Sequence, residues 1–282
     1  MSDTAKQMTW QEALNFAKKS GIDESDARLL LAHAGCVDFS TIRLSSDKEM
    51  PADAASLYLD HIKKRLTHLP VQYITGEACF CGLDLEVSEA VLIPRPETEL
   101  LAEAVFTHCT GKTVLDVCTG SGCIAVSVAA LGKPATVTAC DISEAALNVA
   151  TKNAKKNNVD IRFLHGNMFE AVGGEKFDII VSNPPYIATR EIETLMPDVK
   201  DFEPRLALDG AEDGLKFYRI LAAEGKKHLN PCGSIFLEIG EDQGKTVPKI
   251  LEKEGFVNIR VKTDYSGLDR IVTADMPALT ES

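Results

Sequence analysis

Val114-Leu115-Asp116-Val117-Cys118-Thr119-Gly120-Ser121-Gly122 is the stretch whose reading decides the fold. A short apolar, β-prone run gives way to Thr-Gly-Ser-Gly, and the apolar segment Cys123 to Leu131 follows at once. A strand that turns through glycines directly into a helix is the opening unit of a doubly wound sheet. The carboxyl end of that first strand is where such sheets bind ligands. Gly120 and Gly122 let backbone approach a ligand with no Cβ in the way. The spacing is not the Gly-x-Gly-x-x-Gly of dinucleotide enzymes, and no Lys-Ser or Lys-Thr follows as in a phosphate-cradling loop. A phosphate ligand is therefore disfavoured.

Working outward, β-like runs at Ala135 to Cys140, Ile161 to Leu164, Phe177 to Ser182 and Ser234 to Ile239 alternate with helical segments. That alternation predicts an α/β fold with a doubly wound, mostly parallel sheet. Phe256 to Val261 and Arg270 to Thr273, each preceded by a glycine turn, are expected to close it as an antiparallel pair. Upstream, residues to about 70 read as helices only. Thr9 with Glu12 makes a capping box, Asp23 or Ser25 can cap the run Ala27 to Ala34, and a third helix is expected from near Pro51. Between Val71 and Pro96 the pattern shortens, with Gly76 and Gly82 as turn residues, and predicts a β-hairpin linker. The expected organisation is a small all-helical N-terminal domain over 1–70, the linker over 71–96 and the α/β domain over 97–282.

Composition narrows the partners. The 282 residues are 45% apolar, enough to bury a full core, and carry a formal net charge of -12. That sign is wrong for holding a phosphate backbone, so direct binding of nucleic acid is not expected. No basic-then-apolar leader and no long uncharged apolar stretch is visible, which points to a soluble, cytoplasmic protein with no membrane role. Its oligomeric state is expected to be monomeric. The 8 cysteines form no Cys-x-x-Cys pair and have no histidine array beside them, so no metal is expected.

The second strand ends at Asp141, where a carboxylate can accept both hydroxyls of a ribose. The plainer alternative is that Asp141 only caps the helix beginning near Ser143. After the third strand, Asn167 or Met168 could flank an adenine. The fourth strand runs straight into Asn183-Pro184-Pro185-Tyr186 at the same sheet edge as the glycine loop. The prolines stiffen the backbone and remove two N–H donors, leaving carbonyls and the Asn183 side chain as acceptors. An amide or arylamine NH₂ is a poor nucleophile because its lone pair is delocalised. Acceptors that bind both hydrogens can free that pair, and Asn183 and the Pro184 carbonyl are the candidates. Tyr186 is expected against the planar group. The plainer account is a rigid turn closing a buried strand.

Taken together, Pro70-Val71-Gln72-Tyr73-Ile74-Thr75-Gly76, Leu92-Ile93-Pro94-Arg95-Pro96-Glu97-Thr98-Glu99, the glycine loop, Asn183-Pro184-Pro185-Tyr186-Ile187, Phe202-Glu203-Pro204-Arg205-Leu206-Ala207-Leu208 and Asp213-Gly214-Leu215 resemble the peptide chain release factor glutamine methyltransferases. The resemblance spans nearly the whole chain. It implies a class I, Rossmann-like catalytic domain that uses S-adenosyl-L-methionine. It further implies class I release factors as protein partners, the glutamine of their Gly-Gly-Gln loop as methyl acceptor, and N-terminal helices that dock the substrate. Carried onto this chain, it implies Cys118, Thr119, Gly120, Ser121 and Gly122 at the methionine part of the cofactor, Asp141 at the ribose and Met168 beside the adenine. Asn183 would touch both cofactor and substrate, and Asn183, Pro184, Pro185 and Tyr186 form the catalytic and substrate-binding segment. Cys118 stands where many relatives have glycine, and Asn167 where aspartate is common. Arg95, Glu97 and the Glu203-Pro204-Arg205 segment are expected to organise the pocket or the substrate loop; surface ion pairs are the alternative.

Asn-Pro-Pro-Tyr is shared with adenine-modifying enzymes, so an adenine-specific DNA or RNA methyltransferase is the nearest alternative, with charge against it. A noncatalytic cofactor-binding module is a second alternative, and the intact Asn-Pro-Pro-Tyr argues against that.

Overall fold

The computed structural model describes residues 8–278, which divide into two compact units between Gly76 and Glu77. In the first unit, α1 (Trp10–Lys19) begins on the expected reciprocal cap. The Glu12 amide donates to the Thr9 hydroxyl at 3.2 Å, and the Thr9 amide donates to the Glu12 carboxylate at 2.8 Å. Asp23, not Ser25, caps α2 (Glu24–Gly35) by accepting from the Ser25 amide at 2.8 Å. A short helix the sequence did not announce, α3 (Phe39–Leu44), starts at Asp38, which makes the helix after Pro51 the fourth, α4 (Ala52–Arg65). Trp10, Leu30, Leu31, Tyr58 and Ile62 meet in the core of this unit. The hairpin expected from Val71 begins later, because Val71–Thr75 is a one-turn helix, α5. Pro70 has the φ of -55° that suits a helix start, and Gly76, at φ 76°, supplies the left-handed residue that ends one. A single turn is too short to display a 3.6-residue period, so Val71 and Tyr73 mimic strand alternation.

The second unit opens with the hairpin β1 (Glu77–Phe80) and β2 (Leu83–Glu86). Its two-residue turn, Cys81-Gly82, has both φ angles positive, which matches the twist of the flanking strands. The elements α6 (Pro96–Phe106), β3 (Thr113–Val117), α7 (Cys123–Leu131), β4 (Thr136–Asp141), α8 (Glu144–Lys156), β5 (Arg162–His165) and β6 (Phe177–Ser182) come next. The short helices α9 (Pro197–Lys200) and α10 (Arg205–Leu208) precede α11 (Lys216–His228), β7 (Leu229–Glu238), α12 (Thr246–Lys253), β8 (Val257–Thr263) and β9 (Asp269–Asp275).

Seven strands form one sheet in the order β5-β4-β3-β6-β7-β9-β8. The first five of these positions are parallel, and β9 inserts antiparallel between β7 and β8, as the sequence pattern predicts for the closing pair. Period-two alternation sorts the side chains. Val114, Ile179, Val181 and Phe236 pack on one face with α6 and α7, while Leu115, Ile180, Ile235 and Leu237 pack on the other with α11 and α12. Burying each such side chain fully contributes about 1.5 to 3 kcal/mol. Asp116 shares the parity of Val114 and is fully buried, a carboxyl in a mostly apolar layer.

Side chains of α6 and α8 tie the hairpin to the rest of the unit, Glu99 accepting from the Cys81 amide at 2.7 Å and Asn157 donating to the Asp84 carbonyl at 3.1 Å. Asn153 on α8, fully buried, accepts from the Glu86 amide at 2.6 Å and donates to the Glu86 carbonyl at 2.9 Å, filling the hydrogen-bonding role of a neighbouring strand. The same amide donates to the Ser121 carbonyl in the glycine loop at 2.9 Å. Among the described residues no helix is long and apolar enough to cross a membrane.

Candidate active site

β3 and β6 lie side by side in register, with Val117 opposite Ser182, so the chain leaves the sheet twice at one level. It enters Cys118–Gly122 from β3 and Asn183–Tyr186 from β6. A cavity of about 300 Å³ opens between these corners, lined by Cys118, Thr119, Gly120 and Ser121 on one side and Asn183 and Pro185 on the other. Asp141 at the end of β4, with Asn167 and Met168 beyond β5, completes the wall expected for a nucleoside. Three of the expected residues stand elsewhere. Gly122 does not line the cavity: it has φ 77° at the start of α7, and a Cβ there would fall 2.9 Å from the Ala150 Cβ of α8. Its freedom lets two helices close on each other. Pro184 is buried behind the corner, and Tyr186 lines a second, more open cavity beside Arg270 and Gln243.

The first corner is held by short-range bonds. Asp141 accepts from the Gly120 amide through Oδ2 and from the Ser143 amide through Oδ1, each at 2.9 Å. Ser143 itself caps α8, accepting from the Ala146 amide at 3.2 Å. Asp141 therefore ties the glycine loop to the next strand and still stands at the cavity wall. Cys118 has φ 63° in the left-handed region, which explains why glycine suits this position and why cysteine carries strain there. Its sulfur lies 3.6 Å from that of Met168. Asp116, which the sequence did not single out, accepts from the Thr119 hydroxyl at 2.6 Å, and its Oδ1 has no partner. Burial pushes its carboxyl up to about 7, with the Thr119 hydroxyl opposing. Nothing in the linear pattern distinguishes such a carboxylate from a strand-end turn residue.

The second corner is held from far away in sequence. The Asn183 amide nitrogen donates to the Thr98 hydroxyl at the start of α6 at 3.2 Å. The Tyr186 carbonyl accepts from Gln243 at 3.1 Å, and burial drives the Tyr186 phenol up to about 12. Arg95 lines the cavity and pairs at 2.6 Å with Glu203, whose side chain is almost completely buried, joining the segment before α6 to the segment before α10. Burial raises the Glu203 carboxyl against the pull of Arg95. Arg205 points outward instead, to Glu193 and Asp209 on the surface, and Glu97 is exposed.

A parallel sheet in this order, with a glycine corner, a strand-end carboxylate and an Asn-Pro-Pro-Tyr corner around one cavity, defines a methyltransferase of the doubly wound class. Two families match the chain in tandem: PrmC N-terminal domain over residues 9–76 and Methyltransferase small domain over residues 96–199. The chain belongs to the release factor glutamine methyltransferase family. It is 43% identical to the release factor glutamine methyltransferase of Clostridium acetobutylicum, covering 88% of this chain and 90% of that protein. It is 40% identical to that of Thermodesulfovibrio yellowstonii, covering 91% and 94%. Among solved structures, a methyltransferase from Pyrococcus furiosus superposes with TM-score 0.54 at 21% identity, covering 70% of this chain and 90% of that one. A ribosomal protein L11 methylase from Lactobacillus delbrueckii subsp. bulgaricus gives TM-score 0.51 at 22% identity over 68% and 84%. Both support the fold of the second unit.

Proposed function

We propose that this chain transfers a methyl group from S-adenosyl-L-methionine to the side-chain amide nitrogen of the glutamine in the Gly-Gly-Gln loop of class I peptide chain release factors. The observation that carries the proposal is the shared cavity, in which the corner suited to a nucleoside faces the corner suited to an NH₂ group. The residues present fit such a cofactor. Gly120 leaves open space where a Cβ would stand, Asp141 offers a carboxylate, and Cys118 through Gly122 contain no cation for a phosphate. Of the two cations at the cavity wall, Arg95 is paired with Glu203 and Lys216 lies over the Phe217 ring.

When bound, S-adenosyl-L-methionine supplies an electrophilic methyl on a sulfonium. The chain's own residues hold and aim. Asp141, Gly120 and Met168 would seat the nucleoside, and Cys118 to Ser121 the amino-acid end. Asn183 through its side-chain oxygen would accept an amide hydrogen, leaving the nitrogen lone pair free to attack; the Pro184 carbonyl, expected as the second acceptor, does not line the cavity. No side-chain base is needed, because the nitrogen becomes acidic only after methylation and its proton then passes to solvent. Alignment of this kind can contribute about 7 to 11 kcal/mol, against roughly 1 to 3 for a single hydrogen bond. Pro185 stiffens the corner, and the N-terminal helices would supply a surface for the release factor.

The test is incubation with methyl-labelled cofactor and purified release factors, followed by mass spectrometry of the labelled peptide. Label on the Gly-Gly-Gln glutamine is expected. Label in DNA or RNA adenine, with release factors untouched, would overturn the proposal.

A further inference from the structure

An asparagine amide has an acceptor end and a donor end of nearly equal size, and only the acceptor end can receive an incoming N–H. Asn183 stands at the cavity wall, so something must decide which end faces inward. We propose that Thr98 and Glu238 are positioning residues that hold the Asn183 amide with its nitrogen turned away and its oxygen toward the cavity. The inference rests on the role given to Asn183 above.

One hydrogen bond sets the donor direction. Asn183 donates to the Thr98 hydroxyl at 3.2 Å, and that hydroxyl can accept there only while its own proton is directed elsewhere. Glu238, the last residue of β7, is 2% exposed, and the Thr98 hydroxyl and the Asn183 amide both hold its carboxyl down against burial, as donors directed toward it do. An ionised carboxylate only accepts, so it takes the Thr98 proton, and the Thr98 lone pair is left for the Asn183 nitrogen. The oxygen of Asn183 then remains for a guest. Once protonated, Glu238 becomes a donor, the Thr98 proton can turn to the Asn183 oxygen, and the two ends of the amide can exchange. Glu238 also keeps one oxygen, Oε2, without a partner. A buried carboxylate with a bare oxygen costs stability, so structural support alone does not account for it.

The titratable groups around this carboxyl come from five directions: Glu97 on α6, Cys123 on α7, Tyr186 after β6, Tyr218 on α11 and Arg270 on β9. Tyr218 donates to the main-chain carbonyl of Glu238 at 2.9 Å, not to its carboxylate. Burial pushes the Glu238 carboxyl up to about 7, while Thr98 and Arg270 pull it down. Protonation of Glu238, like that of Asp116, therefore falls inside the working range of an enzyme assay, and loss of the acid limb in Glu238→Gln is what assigns it to Glu238.

The experiment compares Thr98→Val, Thr98→Ser and Glu238→Gln with wild type, measuring methyl transfer to purified release factor and cofactor affinity by calorimetry. For Thr98→Val, kcat should fall about tenfold to a hundredfold with KM and cofactor affinity within about threefold, and Thr98→Ser should recover most of the loss. The wild-type kcat should decline as pH drops below about 7, and Glu238→Gln should remove that acid limb. An unchanged kcat in Thr98→Val, or a loss that serine does not repair, would overturn the inference. If Thr98→Val does not fold, the Glu238→Gln profile decides alone, and a retained acid limb counts against it. Should wild type leave release factors unlabelled, or Asn183→Ala keep full turnover, the underlying role of Asn183 fails instead. Those outcomes are separate from a normal Thr98→Val in an otherwise Asn183-dependent enzyme.

Discussion

The two corners of the cavity begin at the same level of adjacent strands and are built by opposite means. The glycine corner is held mainly by its own strand and the next strand end, through Thr119 on Asp116 and Asp141 on the Gly120 amide, with one bond from Asn153 of α8 to the Ser121 carbonyl. The Asn-Pro-Pro-Tyr corner is stiffened by its own prolines but oriented by side chains distant in sequence, Thr98 at one end and Gln243 at the other. The contrast teaches that a cofactor corner can take most of its shape from one βαβ unit, whereas an acceptor corner of this kind takes its orientation from elements far apart in the chain.

Substitutions can break or sharpen that comparison. The largest effect should come from Asn183→Ala, which removes an oriented acceptor. Turnover is expected to fall about a hundredfold to a thousandfold, with cofactor affinity within a few fold by calorimetry. Asp141→Ala acts on the other corner and should reverse the pattern. Cofactor binding should weaken by about tenfold to a hundredfold, in line with roughly 1.5 to 3 kcal/mol for a charge-assisted hydrogen bond, and equal affinity would contradict the assignment. Gly122→Ala should act on stability. Its Cβ would meet Ala150 at 2.9 Å in a backbone at φ 77°, and urea unfolding is expected to show a loss of about 2 kcal/mol. Cys118→Gly is the smallest. Relief of the left-handed strain is partly offset by the greater freedom of glycine in the unfolded chain, for a net gain of less than about 1 kcal/mol in the same assay.

The same contrast explains what could be read from residue order. Strand and helix alternation, the glycine loop, the reciprocal cap at Thr9 and the closing antiparallel pair are short-range patterns, and each was legible. Asp141 was legible as a ligand residue by its place at a strand end, but its two backbone bonds were not, since they depend on how closely β3 and β4 approach. Thr98 inside Pro-Glu-Thr-Glu, Glu238 and Gln243 carry no local signal, because their meaning depends on which strand ends become neighbours. Tyr186 was expected at the planar group because it follows the prolines directly. The structure turns it to the second cavity, beside Arg270. The one-turn helix Val71–Thr75 and the short helix Phe39–Leu44 were missed because so few residues cannot establish a period.

Asn153 has a consequence for how the second unit reports on itself. Because one amide spans the backbone of Glu86 and the carbonyl of Ser121, solvent exchange of the Glu86 N–H is tied to the order of the glycine loop. A ligand that quiets that loop should slow deuterium uptake at Glu86, a position outside the cavity lining, and Asn153→Leu should abolish the correlation. The hairpin would then serve as a remote gauge of occupancy, readable by mass spectrometry with no label on the ligand.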